Sequence, residues 1–312
     1  MSSLNELLIE NAEKGDLNEV KNLVEKGVDI HVRDDLALRR GAENGHLDVV
    51  RYLVEKGADI HADSEFALRR SARYGHLDIV KFLMEKGADS YFVLWHIISI
   101  GGVHFHVVKC LVENGADIHA NSEYLLRLSA IIDFLEAVKY FVEKGADIHA
   151  DFEGAFRLSA LYGRLDVVKY LVEKGADIHA CNDEALRWSA ERGRFDVVKF
   201  LVEKGANIHA RNDEALRRSA ECGHFNNVKY LIKNRPDTQI HFGQPLRISA
   251  KHGRLNVVKF LVEKGANILI DFNFERIDAP IKEFLEKEIR KFKIETAGHL
   301  VNDFISEWLW KP

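Results

Sequence analysis

Six histidines stand at matching places along the chain: His31, His61, His119, His149, His179 and His209. Histidines in regular series are candidates for a metal array, since imidazole nitrogen is a common zinc ligand. Six serines recur in the same way, Ser71, Ser129, Ser159, Ser189, Ser219 and Ser249, each followed by alanine. A hydroxyl close to an imidazole is the starting material of nucleophilic catalysis. A third series is cationic: Arg39, Arg69, Arg127, Arg157, Arg187, Arg217 and Arg247. In six of these seven an acid stands four residues earlier, at Asp35, Glu65, Glu123, Glu153, Asp183 or Asp213. An acid followed by a base at that spacing suits an ion pair along a helix, and guanidinium donors can also reach turn carbonyls.

The elements that carry these series repeat. The phrase VEKGADIHA, or a close variant, places glycine at Gly27, Gly57, Gly87, Gly115, Gly145, Gly175, Gly205 and Gly265, with Arg235 in the matching place between the last two. The spacing is 30 residues, except for 28 between Gly87 and Gly115. A second phrase of the type ALRRSAERGHLDVVKYL fills each period. Nine units result, about 4–33, 34–63, 64–93, 94–121, 122–151, 152–181, 182–211, 212–241 and 242–271, followed by a dissimilar tail, 272–312. Residues 182–211 show the pattern. Asp183 and Glu184 open a short helix, Leu186 and Ala190 share one face, and Gly193 stops it. A second helix starts near Phe195, with Val197, Val198, Leu201 and Val202 as its apolar stripe. Gly205 ends that helix. Two helices this short are marginal alone, and stacking on look-alike neighbours buries their apolar faces.

Stacking decides what the three series can do. Packed helices lie about 8–10 Å apart, so equivalent side chains in successive units form ladders with rungs about that far apart. Zinc ligands must sit about 2 Å from one ion, which neighbouring rungs cannot share. The histidines are therefore expected to hydrogen-bond turn backbone of their own or the adjacent unit. The arginines are expected to pair with their acids and with turn carbonyls, the alternative being a basic stripe for an acidic partner. The serines are expected to be small residues at a tight helix contact. No dinucleotide glycine motif, phosphate loop, HExxH or G-x-S-x-G occurs, so no catalytic residue, metal or cofactor is assigned.

Composition fits this reading. The chain has 312 residues, 46% hydrophobic and 30% charged, with a formal net charge of −5. That balance gives no general reason to expect a nucleic acid or an anionic membrane as partner. Cys110, Cys181 and Cys222 are odd in number and far apart, which suits a reducing, cytoplasmic compartment better than a disulfide framework. The N-terminus shows no secretory signal, and the longest apolar run, 91–103, is too short to span a bilayer.

The motifs resemble those of the ankyrin-repeat family. Leu68 to Ala72, Gly75 to Val80 and Gly57 to Ala62 match its helix and loop signatures over nine units, about 85% of the chain. The resemblance implies an all-α ankyrin-repeat solenoid of about nine helix–turn–helix units with short loops and a helical C-terminal cap. It further implies a non-enzymatic scaffold that binds a partner protein on the concave face formed by its first helices. The unit is about three residues shorter than usual, so the projecting hairpin should shrink to a turn. This short variant is similar to ankyrin proteins of large DNA viruses that infect protists.

Columns that vary from unit to unit are expected to carry partner specificity: Arg40, Arg70, Tyr74, Leu128, Ile131, Ile132, Leu158, Leu161, Tyr162, Trp188, Arg192 and Arg218. They read as an apolar, aromatic centre flanked by arginines, the anatomy of a protein interface. The alternative is that the fourth and fifth units repack these residues inward. The fourth lost loop residues and carries Trp95, Ile97 and Ile98. The fifth has Asp133–Phe134 in place of Gly–His, so its inter-helix turn should differ. In the tail, Pro280 should open one helix and a second should start near Ala297. Together they would form a cap, or alternatively a segment that recruits a host ubiquitin-ligase complex. The expected partner is a protein, with no nucleic acid and no membrane, and the chain is expected to be a monomer.

Overall fold

The computed structural model describes residues 2–100, 104–235, 242–269 and 277–309, with side chains given for 4–100, 104–235, 242–269 and 277–294. The chain divides into two compact bodies, Met1–Ala155 and Phe156–Pro312. Nineteen helices are present among the described residues, with no strand. The first body holds α1 (Ser2–Lys14), α2 (Leu17–Glu25), α3 (Val32–Glu43), α4 (Leu47–Glu55), α5 (Ala62–Tyr74) and α6 (Leu77–Glu85). It continues with α7 (Ser90–Ile100), α8 (Phe105–Glu113), α9 (Ala120–Ile131) and α10 (Leu135–Glu143). The division falls within α11 (Ala150–Tyr162). The second body holds α12 (Leu165–Glu173), α13 (Ala180–Glu191), α14 (Phe195–Glu203), α15 (Ala210–Cys222), α16 (Phe225–Lys233), α17 (Gly243–Lys251), α18 (Leu255–Glu263) and α19 (Ala279–Leu309).

Within each body the helices form two files. In the first body α1, α3, α5, α7 and α9 pack in succession, and α2, α4, α6, α8 and α10 run beside them. In the second, α13, α15 and α17 form one file and α12, α14, α16 and α18 the other. The predicted stripes are the core: Val197, Val198 and Leu201 are buried, as are Leu186 and Ala190. Each Val or Leu so covered contributes about 1.5–3 kcal/mol over its exposed state. The six serines are fully buried or nearly so, and four of those hydroxyls, on Ser71, Ser159, Ser189 and Ser249, donate to a carbonyl three residues back in the same helix. A small side chain that satisfies its own hydroxyl is what a close helix crossing requires.

Successive repeats are tied through the inter-helix turn. Gly193 has φ +70°, and a Cβ there would lie 2.6 Å from the His224 ring of the following repeat. That ring reaches the Glu191 carbonyl, one of the orphan acceptors at the end of α13, at 2.9 Å. His46 and His76 make the same bond to Glu13 and Glu43, and Arg254 makes it to Glu221.

Two expectations are corrected here. The fifth repeat's inter-helix turn is not altered: Asp133 adopts φ +69°, and Phe134 N–H and Leu135 N–H bond Ser129 and Asp133 carbonyls as their counterparts do elsewhere. Aspartate tolerates the left-handed region well enough to stand in for glycine. The tail is one continuous helix, α19, not two. Ala297–Gly298 brings no proline, and a lone interior glycine costs only about 1 kcal/mol, too little to break a long helix. Ile281 and Leu285 of α19 are buried, and Lys259 of α18 lies over the Phe284 ring at 5.7 Å. The side chains of the second expected tail helix lie outside those described.

Candidate functional site

Histidine, acid and arginine meet in one structure, a left-handed turn that precedes the first helix of most repeats. Three consecutive residues have positive φ: Asp63, Ser64 and Glu65 (51°, 53° and 60°), and likewise 33–35, 121–123, 151–153, 181–183 and 211–213. Each such non-glycine residue costs about 1–2 kcal/mol, so the turn needs support. The support is specific. The third residue of the turn is the acid, and it is buried in Asp35, Glu65, Glu123, Glu153 and Asp183. Its carboxylate accepts from the histidine four residues earlier, for example 3.0 Å in His31–Asp35, 2.7 Å in His119–Glu123 and 2.8 Å in His209–Asp213. It also accepts a backbone N–H from the loop that closes its own repeat, as in Asp59 to Asp35 at 3.1 Å and Asn207 to Asp183 at 2.7 Å. The histidine's own N–H donates to the residue two before it, Asp29 in the case of His31. The Gly-Ala-Asp-Ile-His phrase is thus one hydrogen-bonded clasp.

The arginine closes the clasp from the helix. Arg69 Nε and Nη2 donate to the carbonyls of Ser64 and Asp63 at 2.8 Å each, and Arg187 does the same to Asn182 and Cys181 at 3.0 Å. A planar fork with several donors matches two carbonyls in series, which a lysine cannot do. Arg187 also reaches Glu214 in the next repeat at 2.8 Å. The expected pairing of each acid with the arginine four residues on is therefore corrected. The acid lies in the left-handed turn, outside helical register, and its partner is the histidine. The expectation of histidine bonded to turn backbone is corrected for the same reason.

This environment shifts two of the imidazoles. Hydrogen bonds to Glu65 and Glu123 hold His61 and His119 above the ordinary value near 6.5. Among the described residues, no three or more of His, Cys, Asp and Glu are grouped to hold a metal ion.

The twelve variable positions lie outside the clasp. None is buried: Tyr74 is 49% exposed and Tyr162 43%, while Leu128, Ile131, Ile132, Leu158, Leu161 and Trp188 are half-buried. The inward repacking considered for the fourth and fifth repeats applies to Ile97 and Ile98, which are fully buried, and not to these. In the first body Arg40 and Arg70 share Glu43, at 2.9 and 3.8 Å. In the second, Arg218 sits among Glu191, Glu214 and Glu221, and Arg157 lies over the Trp188 ring at 5.5 Å.

Sequence reasoning missed an aromatic cavity of about 380 Å³ in the first body, lined by Tyr91, Phe92, Trp95, Asn121 and Tyr124. The available signal was the fourth repeat itself, which breaks the 30-residue period and puts aromatics where other repeats have polar residues.

The family model for ankyrin repeats matches residues 8–92, 94–182, 155–212 and 186–271. The chain belongs to the ankyrin-repeat family, and its repeats mark it as a protein–protein interaction scaffold. A comparison with curated proteins returned no match. No helix among the described residues is long and apolar enough to cross a membrane.

Proposed function

We propose that the first-helix face is the surface on which this scaffold binds a partner protein, without catalysis. In the first body that surface comprises Arg40, Arg70, Tyr74, Leu128, Ile131 and Ile132. In the second it comprises Leu158, Leu161, Tyr162, Trp188, Arg192 and Arg218. One observation carries the reading: the repeating polar side chains are engaged in holding the stack, while the side chains that vary remain accessible on the same helices. Half-buried Leu, Ile and Trp beside arginines match the composition of interface centres. The three free cysteines favour a reducing compartment, and the cytoplasm is the proposed location.

The test is capture of partner proteins by the intact chain, compared with a variant carrying Ile132→Asn, Tyr162→Ser and Trp188→Gln. Specific capture should be lost with helicity and melting temperature unchanged. A variant that melts early would make these residues part of the core, and one that captures as well as the parent would place the surface elsewhere.

A further inference from the structure

The fourth repeat lacks the clasp. Its chain passes from Asp89 directly into α7, whose residues 90–100 contain no left-handed position. The Asp89 carboxylate instead caps α7, accepting from Tyr91 N–H and Phe92 N–H at 3.0 and 3.2 Å. Leu94-Trp95-His96-Ile97-Ile98 runs parallel to Leu68-Arg69-Arg70-Ser71-Ala72, with the first, fourth and fifth residues buried in both. Trp95 thus stands where the clasp arginine stands elsewhere. With the turn gone, a guanidinium has no carbonyls to hold, and an indole occupies its place. The missing turn leaves room, and that room is the cavity of about 380 Å³ walled by Tyr91, Phe92, Trp95 and Tyr124. The walls are braced: Asn121 donates to the Tyr91 hydroxyl at 2.8 Å, and the Phe92 and Trp95 rings lie 5.8 Å apart.

Cations predominate beside the cavity, and the acids near them are engaged: Asp89 caps α7 and Glu43 lies 3.8 Å from Arg70. Arg69 Nη1 lies 3.4 Å from His96 Nε2, and the His96 ring stacks on Phe92 at 6.4 Å. Arginine only donates, so His96 Nε2 accepts and the ring is neutral. Burial, followed by the fields of Arg69, Arg70 and Arg73, holds His96 below its ordinary value. Arg127, paired with Asp151, lies over the Tyr124 ring at 5.6 Å. An aromatic cage alone would suit a quaternary ammonium, but the guanidinium groups of Arg69, Arg70 and Arg73 disfavour a cation.

We propose that this cavity receives a bulky apolar side chain of an acidic peptide segment, whose carboxylates face Arg69, Arg70 and Arg73. The inference rests on the scaffold reading above and names the chemistry of one anchor point on it.

Random dodecapeptides displayed on phage are panned on the intact chain, and the enriched sequences are measured as fluorescein-labelled peptides by fluorescence polarisation. Enriched peptides should carry Trp, Phe or Leu beside two or more acids. Tyr124→Asp and Trp95→Ala should each weaken binding at least tenfold, Arg73→Glu should weaken it several-fold, and added salt should weaken it further. Tyr124 is 36% exposed, so its variant decides the matter should Trp95→Ala lose helicity. Basic peptides, indifference to Tyr124→Asp, no enrichment at all, or displacement by oligo(dT) or tetramethylammonium would each overturn the proposal. Peptides indifferent to Tyr124→Asp but lost with Tyr162→Ser and Trp188→Gln would do so while leaving the wider scaffold reading intact.

Discussion

Arg187 shows how much one side chain carries here. Its side chain is 5% exposed, and it holds two carbonyls of its own turn and the carboxylate of the next repeat. Replacing it with alanine removes charge-assisted bonds from a buried place, and a loss of about 3 kcal/mol is expected. The urea midpoint should fall with an unchanged slope. Arg187→Lys should recover only part of this, because an ammonium group lacks the planar fork. The histidine of the clasp makes a different prediction. His61 and His119 titrate higher in the folded chain than unfolded, through their bonds to Glu65 and Glu123. Their contribution is therefore complete below about pH 6.5, the unfolded value, and is lost as pH rises through the elevated folded value. Denaturation midpoints measured from pH 5.5 to 8.5 should decline, and His61→Gln with His119→Gln should flatten that decline. Both rings are largely exposed, so solvent screening keeps the effect modest.

At the scale of the element, two glycines that look alike in sequence do different work. Gly205 ends α14 at φ +96° with open space where a Cβ would go, whereas Gly193 lies under the His224 ring. Gly205→Ala should cost about 1–2 kcal/mol of backbone strain. Gly193→Ala should cost more, about 2–3 kcal/mol, because it also displaces His224 from the Glu191 carbonyl. Asp133→Gly, at φ +69°, should stabilise by up to about 1 kcal/mol. Thermal melts of the three variants give the ranking. These elements also show what the residues disclosed in advance. Val197, Val198 and Leu201 announced the second helix, Gly193 its predecessor's end, and Arg187 its reach to turn carbonyls. The clasp stayed hidden because its left-handed residues are Asp, Ser, Asn, Cys, Arg, Phe and Glu, without the glycine that usually signals such a backbone. With that turn unseen, an acid four residues before an arginine reads as a helical pair. The cavity was hidden for a related reason, since it is produced by a turn that is missing.

At the scale of the molecule, bonds between repeats of the second body recur at a 30-residue period, and this makes that array tolerant of a kind of change that ordinary domains refuse. Excision of residues 182–211 from the second body joins Cys181 to Asn212, and the new junction reads Cys-Asn-Asp-Glu as the old one did. Arg157, which pairs with Glu184, would meet Glu214 instead. Arg194, which lies against Gly163 and bonds the Leu161 carbonyl, would be replaced by His224, which already performs that task for Gly193 and Glu191. Each nearest-neighbour interface is thus reconstituted from residues that make it elsewhere. The shortened chain should fold, lose helical circular dichroism only in proportion to the residues removed, and unfold at a modestly lower temperature. Excision of residues 182–196, half a period, removes the first helix, leaves a truncated second helix without its companion and places apolar stripes out of register, so that chain should aggregate or lose its cooperative transition. Equal behaviour of the two deletions would mean that stability does not come from the stacking of like on like, because only the whole-period cut preserves the clasp, the turn and the buried stripe together.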